Sequence, residues 1–202
     1  RQAAARHRTL HAALDWSFSL LGPDEQQLLA ALGVCAGSFS VELAVALGSD
    51  DAAERWDVID RLAALVDRSL VVVDGGEPPR YHLLESVRAY ALEQLAASDR
   101  GQVVQRRHAS AMHQMLQAML HPDRKRQGVA EQAPLEMDNL RAAIEWSRQH
   151  DAELAINLAA RTGDVATYTR WMVDAWRWLE ACQPLLPQVP VAVDAPDHLI
   201  TS

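Results

Sequence analysis

The side chains able to do chemistry fall into a few small groups. His7 and His11 stand four residues apart, a spacing that sets two imidazoles on one helix face where they could share a metal. No Cys or carboxylate is read beside them as completing a ligand set, so no metal site is expected. The nine glycines contain no G-x-x-x-x-G-K-[ST] loop, and the one lysine, Lys125, lies in "DRKRQG" without the strand that such a phosphate-binding loop follows. ATP hydrolysis is therefore not assigned to this chain, and no cofactor is expected within it. Ser, His and Asp are plentiful, but none occurs in a G-x-S-x-G setting, so no hydrolase triad and no catalytic residue is assigned. Cys35 and Cys182, the only cysteines, each sit in an apolar, helical-looking segment. They read as buried free thiols of a reducing cytoplasm rather than a disulfide.

What remains is charge. Arg55, Arg61 and Arg68 in one helix-like segment and Arg80 beyond it could meet phosphates, which is the chemistry of DNA contact. Against them stand Asp57, Asp60 and Asp67 in the same segment and Asp74 and Glu77 near Arg80. Residues 1–98 hold 8 Arg and 14 Asp plus Glu, a balance of −6, within a chain of net charge −8. Phosphate contacts dominate affinity for nucleic acid, so this balance opposes DNA binding. The arginines read more simply as solvated or ion-paired at the surface. The basic clusters "QRRH" (105–108) and "DRKR" (123–126) lie further on, without interleaved aromatics. They read as a solvated helix end and a loop, with an anionic or interdomain contact as the sharper alternative. Trp146, Trp171, Trp176 and Trp178 recur at helical spacing and read as core or inter-repeat packing, with an aromatic recognition surface as the alternative.

The elements that must position these groups are mostly helical. Leu10, Leu14, Phe18 and Leu21 mark a first helix stopped by Gly22-Pro23. Pro23 opens a second helix with Asp24 and Glu25 in its first turn, Gly37 is its expected terminator, and Ser40 is placed to cap a short third helix ending at Gly48. Val58, Ile59, Leu62, Leu65 and Val66 give a fourth, over residues 55–69, one apolar face. "SLVVVD", "GGEPP" and "RYHLL" then read as strand, turn and strand, followed by a helix from Glu85. Three helices, a fourth and a hairpin form the pattern of a winged helix with a two-stranded β wing. Helices over about 102–120, 132–149, 152–162 and 166–182 follow, with Asp151 and Asp164 as expected N-caps. The fold class is therefore mainly α: a winged-helix domain over 1–98, then antiparallel helical hairpins stacked as in a TPR-like solenoid over 99–183. The Pro-rich 184–202 is expected to be a poorly ordered tail. Apolar runs are too short to span a bilayer. The chain opens on "RQAAARHR", without Met or an apolar leader, and is expected to be a piece of a longer protein with no signal peptide.

"RTLHAALDWSFSLLGPDEQQLLAALGVCAGSFS", "LAALVDRSLVVVD", "RYHLLESVRAYALEQL", "RRHA" and "MDNLRAAIEWS" occur in that order. Over residues 6–182 the chain resembles the region that follows the nucleotide-binding module in bacterial STAND-class ATPases and large transcriptional regulators. The resemblance implies a parent protein with an ATP- or ADP-binding module upstream, a winged helix, and TPR-like repeats. It also implies that the winged helix docks on that module as an intramolecular switch, while a protein or small-molecule signal meets the repeats. In the resistance-protein relatives the contact is a Met-His-Asp motif opening the helix after the wing. Here Leu83, Leu84 and Glu85 fall on its three positions and His82 lies outside it, so only the location carries over: Leu84, Glu85 and Arg88 as a switch contact. The alternative is a DNA-binding transcription factor with Arg55, Arg61, Arg68 and Arg80 as its contacts.

Overall fold

A computed structural model describes residues 2–49, 54–121 and 126–189. Helix α1 (Gln2–Ser19) leads into α2 (Pro23–Leu32), whose N-terminus is closed by the Gly22 amide donating to Glu25 Oε2 at 2.7 Å. That bond, Pro23 at the first helical position and Asp24 in the first turn all favour a helix start. The helix ends at Gly33, four residues before the expected Gly37. A Cβ on Gly33 would sit 3.0 Å from Ala91 Cβ and the Leu92 amide, so helix packing dictates the residue there. Helix α3 (Val41–Gly48) is capped as expected: Ser40 Oγ accepts from the Leu43 amide at 3.3 Å.

Helix α4 (Arg55–Asp67) buries Val58, Leu62 and Leu65 and is followed by Ser69 in the left-handed region, φ 58°. The turn lets the amides of Leu70 and Val71 both return to Leu65 O, at 3.0 and 3.2 Å, and aims the chain into the wing. Strands β1 (Val72–Asp74) and β2 (Arg80–His82) pair antiparallel, Val72 with His82, Val73 with Tyr81 and Asp74 with Arg80. Phe39 adds a bridge to Tyr81: its amide donates to Tyr81 O at 2.7 Å and its carbonyl accepts from the Tyr81 amide at 2.9 Å. The wing is thereby fastened to the loop between α2 and α3. Helix α5 (Glu85–Ala96) returns across α2 and α1, completing a winged helix.

The second part is a stack of helices: α6 (Gly101–Met119), α7 (Arg126–Gln132), α8 (Met137–His150), α9 (Ala152–Ala166) and α10 (Met172–Cys182). Helix α9 packs on α6, α8 and α10, and α6 also packs on α3, so one continuous apolar core runs through both parts. Asp151 caps α9 as expected, accepting from the Leu154 amide at 3.1 Å. Asp164 does not cap a helix; it lies inside α9, which continues to Ala166. The polar "RTGD" run stays helical, with Ala159, Val165 and Ala166 buried on its flank and the buried Thr162 hydroxyl satisfied on Leu158 O at 2.8 Å. A short helix, α7, and a 3-10 turn (Ala133–Glu136) fill the approach to α8, which begins at Met137 rather than 132. Of the expected tail, 184–188 belongs to a 3-10 turn after α10, and 190–202 lies outside the described residues.

Candidate functional site

Three surfaces carry the candidate residues: the outer face of α4, the turn opening α5, and the junction between the two parts of the chain. On α4 and at the residue that follows it, each arginine stands beside a carboxylate from a neighbouring helix. Arg55 lies 3.6 Å from Glu42, Arg61 3.5 Å from Asp24, and Arg68 4.0 Å from Glu25. Such exposed, long pairs are worth only about 0–1 kcal/mol and would not by themselves prevent a phosphate from competing. The obstacle is the field they belong to, because Asp57, Asp60 and Asp67 remain exposed on the same helix. Trp56 stands among them, 72% exposed.

Arg80 does not belong with the phosphate contacts. Its guanidinium is largely covered between the wing and the helical stack, where it pairs with Glu136 and donates to Ser38 O at 2.7 Å, Ser38 Oγ at 3.2 Å and Leu135 O at 3.1 Å. A side chain committed to four acceptors inside the protein has no reach to a groove.

At the opening of α5, Leu84 and Glu85 are exposed. Arg88 turns inward and donates through Nε to Cys35 O at 2.8 Å, with Nη1 3.5 Å from Glu85. Of the three residues expected at a switch contact, Leu84 and Glu85 are thus at the surface and Arg88 is held beneath them.

The junction was the least legible region. Asn139, fully buried on α8, accepts from the Ala36 amide at 2.9 Å and donates to Ser38 O at 2.8 Å and Glu136 Oε2 at 3.2 Å. Glu136 and Asn139 hold the loop between α2 and α3 while Arg80 ties β2 to the same place. Behind them lies His108 of α6, with neither ring nitrogen hydrogen-bonded among the described residues. Burial pushes its pKa down to about 4, with the neighbouring Asn139 side chain acting in the opposite direction. The signal for this site was present: Glu136, Asn139 and Ser147 interrupt the apolar stripe formed by Leu140, Ala143 and Ile144.

The "QRRH" cluster is not a solvated helix end. Arg106 pairs with Asp151 at 3.0 Å, Arg107 reaches Leu47 O at 3.4 Å, and His108 is core. Residues 123–125 of the second cluster and the side chain of Arg126 lie outside the described residues. The His7 side chain is likewise outside them, while His11 Nδ1 lies 3.0 Å from Asp15 Oδ2 and Nε2 lies 3.0 Å from Glu93 Oε2. The two carboxylates flank opposite nitrogens, an arrangement suited to an imidazolium donating twice, and they raise the His11 pKa, Glu93 most. Tyr90 donates to Asp15 Oδ1 at 2.8 Å; burial first, then that bond, raises its pKa to about 12. Among the described residues no group of three or more His, Cys, Asp or Glu is placed to hold a metal ion. Cys35 and Cys182 are buried and free, and burial pushes both thiols up, so neither is a ready nucleophile. Trp171 is buried and Trp146 and Trp178 half-buried, but Trp176 is 70% exposed at a cleft of about 360 Å³ lined also by Ile156, Leu179, Cys182 and Leu186. Among the described residues no helix is long and apolar enough to cross a membrane.

Residues 21–96 match the model of a winged helix-turn-helix domain. The chain is similar to proteins of Mycobacterium bovis and Mycobacterium tuberculosis named, by inference, HTH-type transcriptional regulators: 42% identity over 154 residues, 74% of this chain and 17% of each relative. It is also similar to an uncharacterized protein of Mycobacterium tuberculosis, 38% identical over 121 residues, which is 57% of this chain and 31% of that protein. The chain thus spans about a sixth of the regulators it matches. No solved structure matches it.

Proposed function

We propose that this chain is a regulatory segment of a larger transcriptional regulator, in which the winged helix faces protein and the helical stack receives the signal. The observation that carries the protein-facing reading is the charge on α4. Arg55 and Arg61 of the helix and Arg68 just after it stand beside Glu42, Asp24 and Glu25, while Asp57, Asp60 and Asp67 remain exposed. The transcriptional setting is supported by the relatives' names. Because the chain spans 17% of those relatives, their DNA contact is free to lie elsewhere in the polypeptide. In its specific form the reading makes an upstream ATP- or ADP-holding module the partner, meeting the exposed Leu84 and Glu85. A protein or small-molecule signal on the TPR-like stack, for which the Trp176 cleft offers an apolar surface, releases that contact. The setting is cytoplasmic, in keeping with two buried free thiols.

The second reading is a DNA-binding winged helix with α4 in the major groove. It is favoured by the domain match over 21–96 and by the exposure of Trp56 on that helix. Fluorescence anisotropy of a labelled duplex, titrated with this chain at about 50 and 150 mM salt, separates the two. Absence of binding at the lower salt supports the protein-facing reading. Binding that survives the higher salt and falls on Arg61→Ala overturns it in favour of DNA recognition.

A further inference from the structure

Helix α4 carries two kinds of unused capacity on its outer side. Val58, Leu62 and Leu65 are buried in the core, whereas Trp56, Asp60, Ala63 and Asp67 are all exposed. At this helical spacing they form one stripe along the helix, with Asp57 beside it. Trp56 is the most exposed of the large apolar side chains among the described residues. One exposed apolar residue alone needs no explanation, but this one stands a single turn from the carboxylate of Asp60. Asp57, Asp60 and Asp67 have no ion-pair partner among the described residues, while Arg55 and Arg61 of the same helix stand beside Glu42 and Asp24. Those two acids lie exposed in the first turns of α3 and α2, so the acidic surface extends beyond the stripe.

The chemistry of the stripe narrows what can cover it. A phosphate backbone is repelled by the three aspartates. A wholly apolar surface would strip water from them and return nothing. A second copy of this chain brings the same acidic stripe and the same net charge of −8. A cationic protein surface meets both demands, and arginine meets them best. Its planar guanidinium stacks on an indole while its N–H groups bond a carboxylate, whereas lysine supplies the charge without the plane. Trp56 and Asp60 are placed for that double contact, since residues one turn apart on a helix surface have Cβ atoms only about 6 Å apart. Asp67 lies a further two turns on, about 10 Å along the helix axis. Two arginines on one side of a partner helix, separated by two turns, match that distance.

We propose that the outer stripe of α4 is a docking surface for an arginine-bearing helix of a partner protein: one guanidinium stacks on Trp56 and pairs with Asp60, and a second pairs with Asp67. The inference rests on the protein-facing reading of α4 and adds the partner's chemistry to it. The stripe lies on a different element from Leu84 and Glu85, so the two surfaces can be tested apart. An acidic face meeting a basic one speeds encounter and loses strength as salt rises.

The test is an NMR titration of the whole chain, at low salt, with an alanine-based helical peptide carrying two arginines two turns apart. Companion peptides carry lysine or glutamate in their place. The indole N–H resonance of Trp56, identified by its loss in Trp56→Phe, reports the contact. It is expected to shift with the arginine peptide, while the lysine peptide binds about threefold more weakly and the glutamate peptide does not bind. Asp60→Asn combined with Asp67→Asn should weaken binding about fivefold. Asp99→Asn combined with Glu153→Gln makes the same change of charge at exposed positions away from α4 and should leave binding unaltered. A silent Trp56 resonance, equal binding of the lysine peptide, or equal weakening by the two double variants overturns the proposal; the last would mean that net charge alone attracts the peptide. Failure of the protein-facing reading is a different result, duplex binding that falls on Arg61→Ala.

Discussion

His108 makes a quantitative demand on the protein's stability. Its imidazole is fully buried, and burial lowers its pKa from the ordinary 6.5 to about 4. The unfolded chain therefore takes up a proton near pH 6.5 that the folded chain refuses until about pH 4. Above pH 6.5 both states hold the ring neutral and the histidine imposes no pH dependence. Below it the unfolded state gains protons first, so stability falls as pH drops and levels off once the folded state also protonates. At about 1.36 kcal/mol per pH unit the full loss is roughly 3 kcal/mol, and about 2 kcal/mol of it is spent by pH 5. A domain with a net stability of about 5–15 kcal/mol registers a change of that size clearly.

The assay is urea unfolding followed by circular dichroism at pH 7 and pH 5, for the wild type and His108→Phe. The upper part of this range lies above the ordinary carboxylate pKa values, and groups common to both proteins cancel in the comparison. His11 is the one that matters most, because its raised pKa has the opposite sign: its contribution is fully present below pH 6.5 and lost above its folded value. Wild type should lose about 2 kcal/mol more than the variant between the two pH values. Equal losses, within about 0.5 kcal/mol, would refute the reasoning, because they would mean that water or a protein group already stabilises the charged ring.

Three further outcomes follow from the geometry. Glu136→Gln leaves the largely covered Arg80 guanidinium without its buried counter-charge and should cost about 3 kcal/mol in chemical denaturation, against less than 1 kcal/mol for Arg61→Ala, whose partner Asp24 is exposed. Gly48→Ala would place a Cβ 2.8 Å from Val58 Cγ1 and 3.0 Å from Leu28 Cδ1, so a loss of about 1–3 kcal/mol is expected by thermal or urea unfolding. Proton NMR titration should find the His11 pKa above 6.5, and Glu93→Gln should lower it, because the Glu93 bond is its largest cause.

What could be seen in the sequence was whatever local chemistry controls. Ser40 and Asp151 cap their helices through their own side chains, Pro23 opens α2, and the β-branched run "VVVD" with the turn "GGEPP" becomes the wing. Each of these is decided within a few residues of the chain. The misread positions are those where a distant neighbour decides. Thr162 and Gly163 look like loop residues but stay in α9, where Ala159, Val165 and Ala166 bury its flank against other helices. Gly33 rather than Gly37 ends α2, and its lack of a side chain is set by α5, whose Ala91 and Leu92 leave no room for a Cβ. The candidate sites divide the same way. The balanced charge of α4 was legible because surface charges can be counted without knowing their partners, whereas Arg80 looked like a surface cation until Glu136, 56 residues away, drew it inside. Asn139 carries the point furthest. An Asn at an apolar position of a helix is costly unless a specific acceptor and donor wait for it. Its presence in "MDNLRAA" announces a tertiary contact but cannot name Ala36 and Ser38, which only the fold brings within reach.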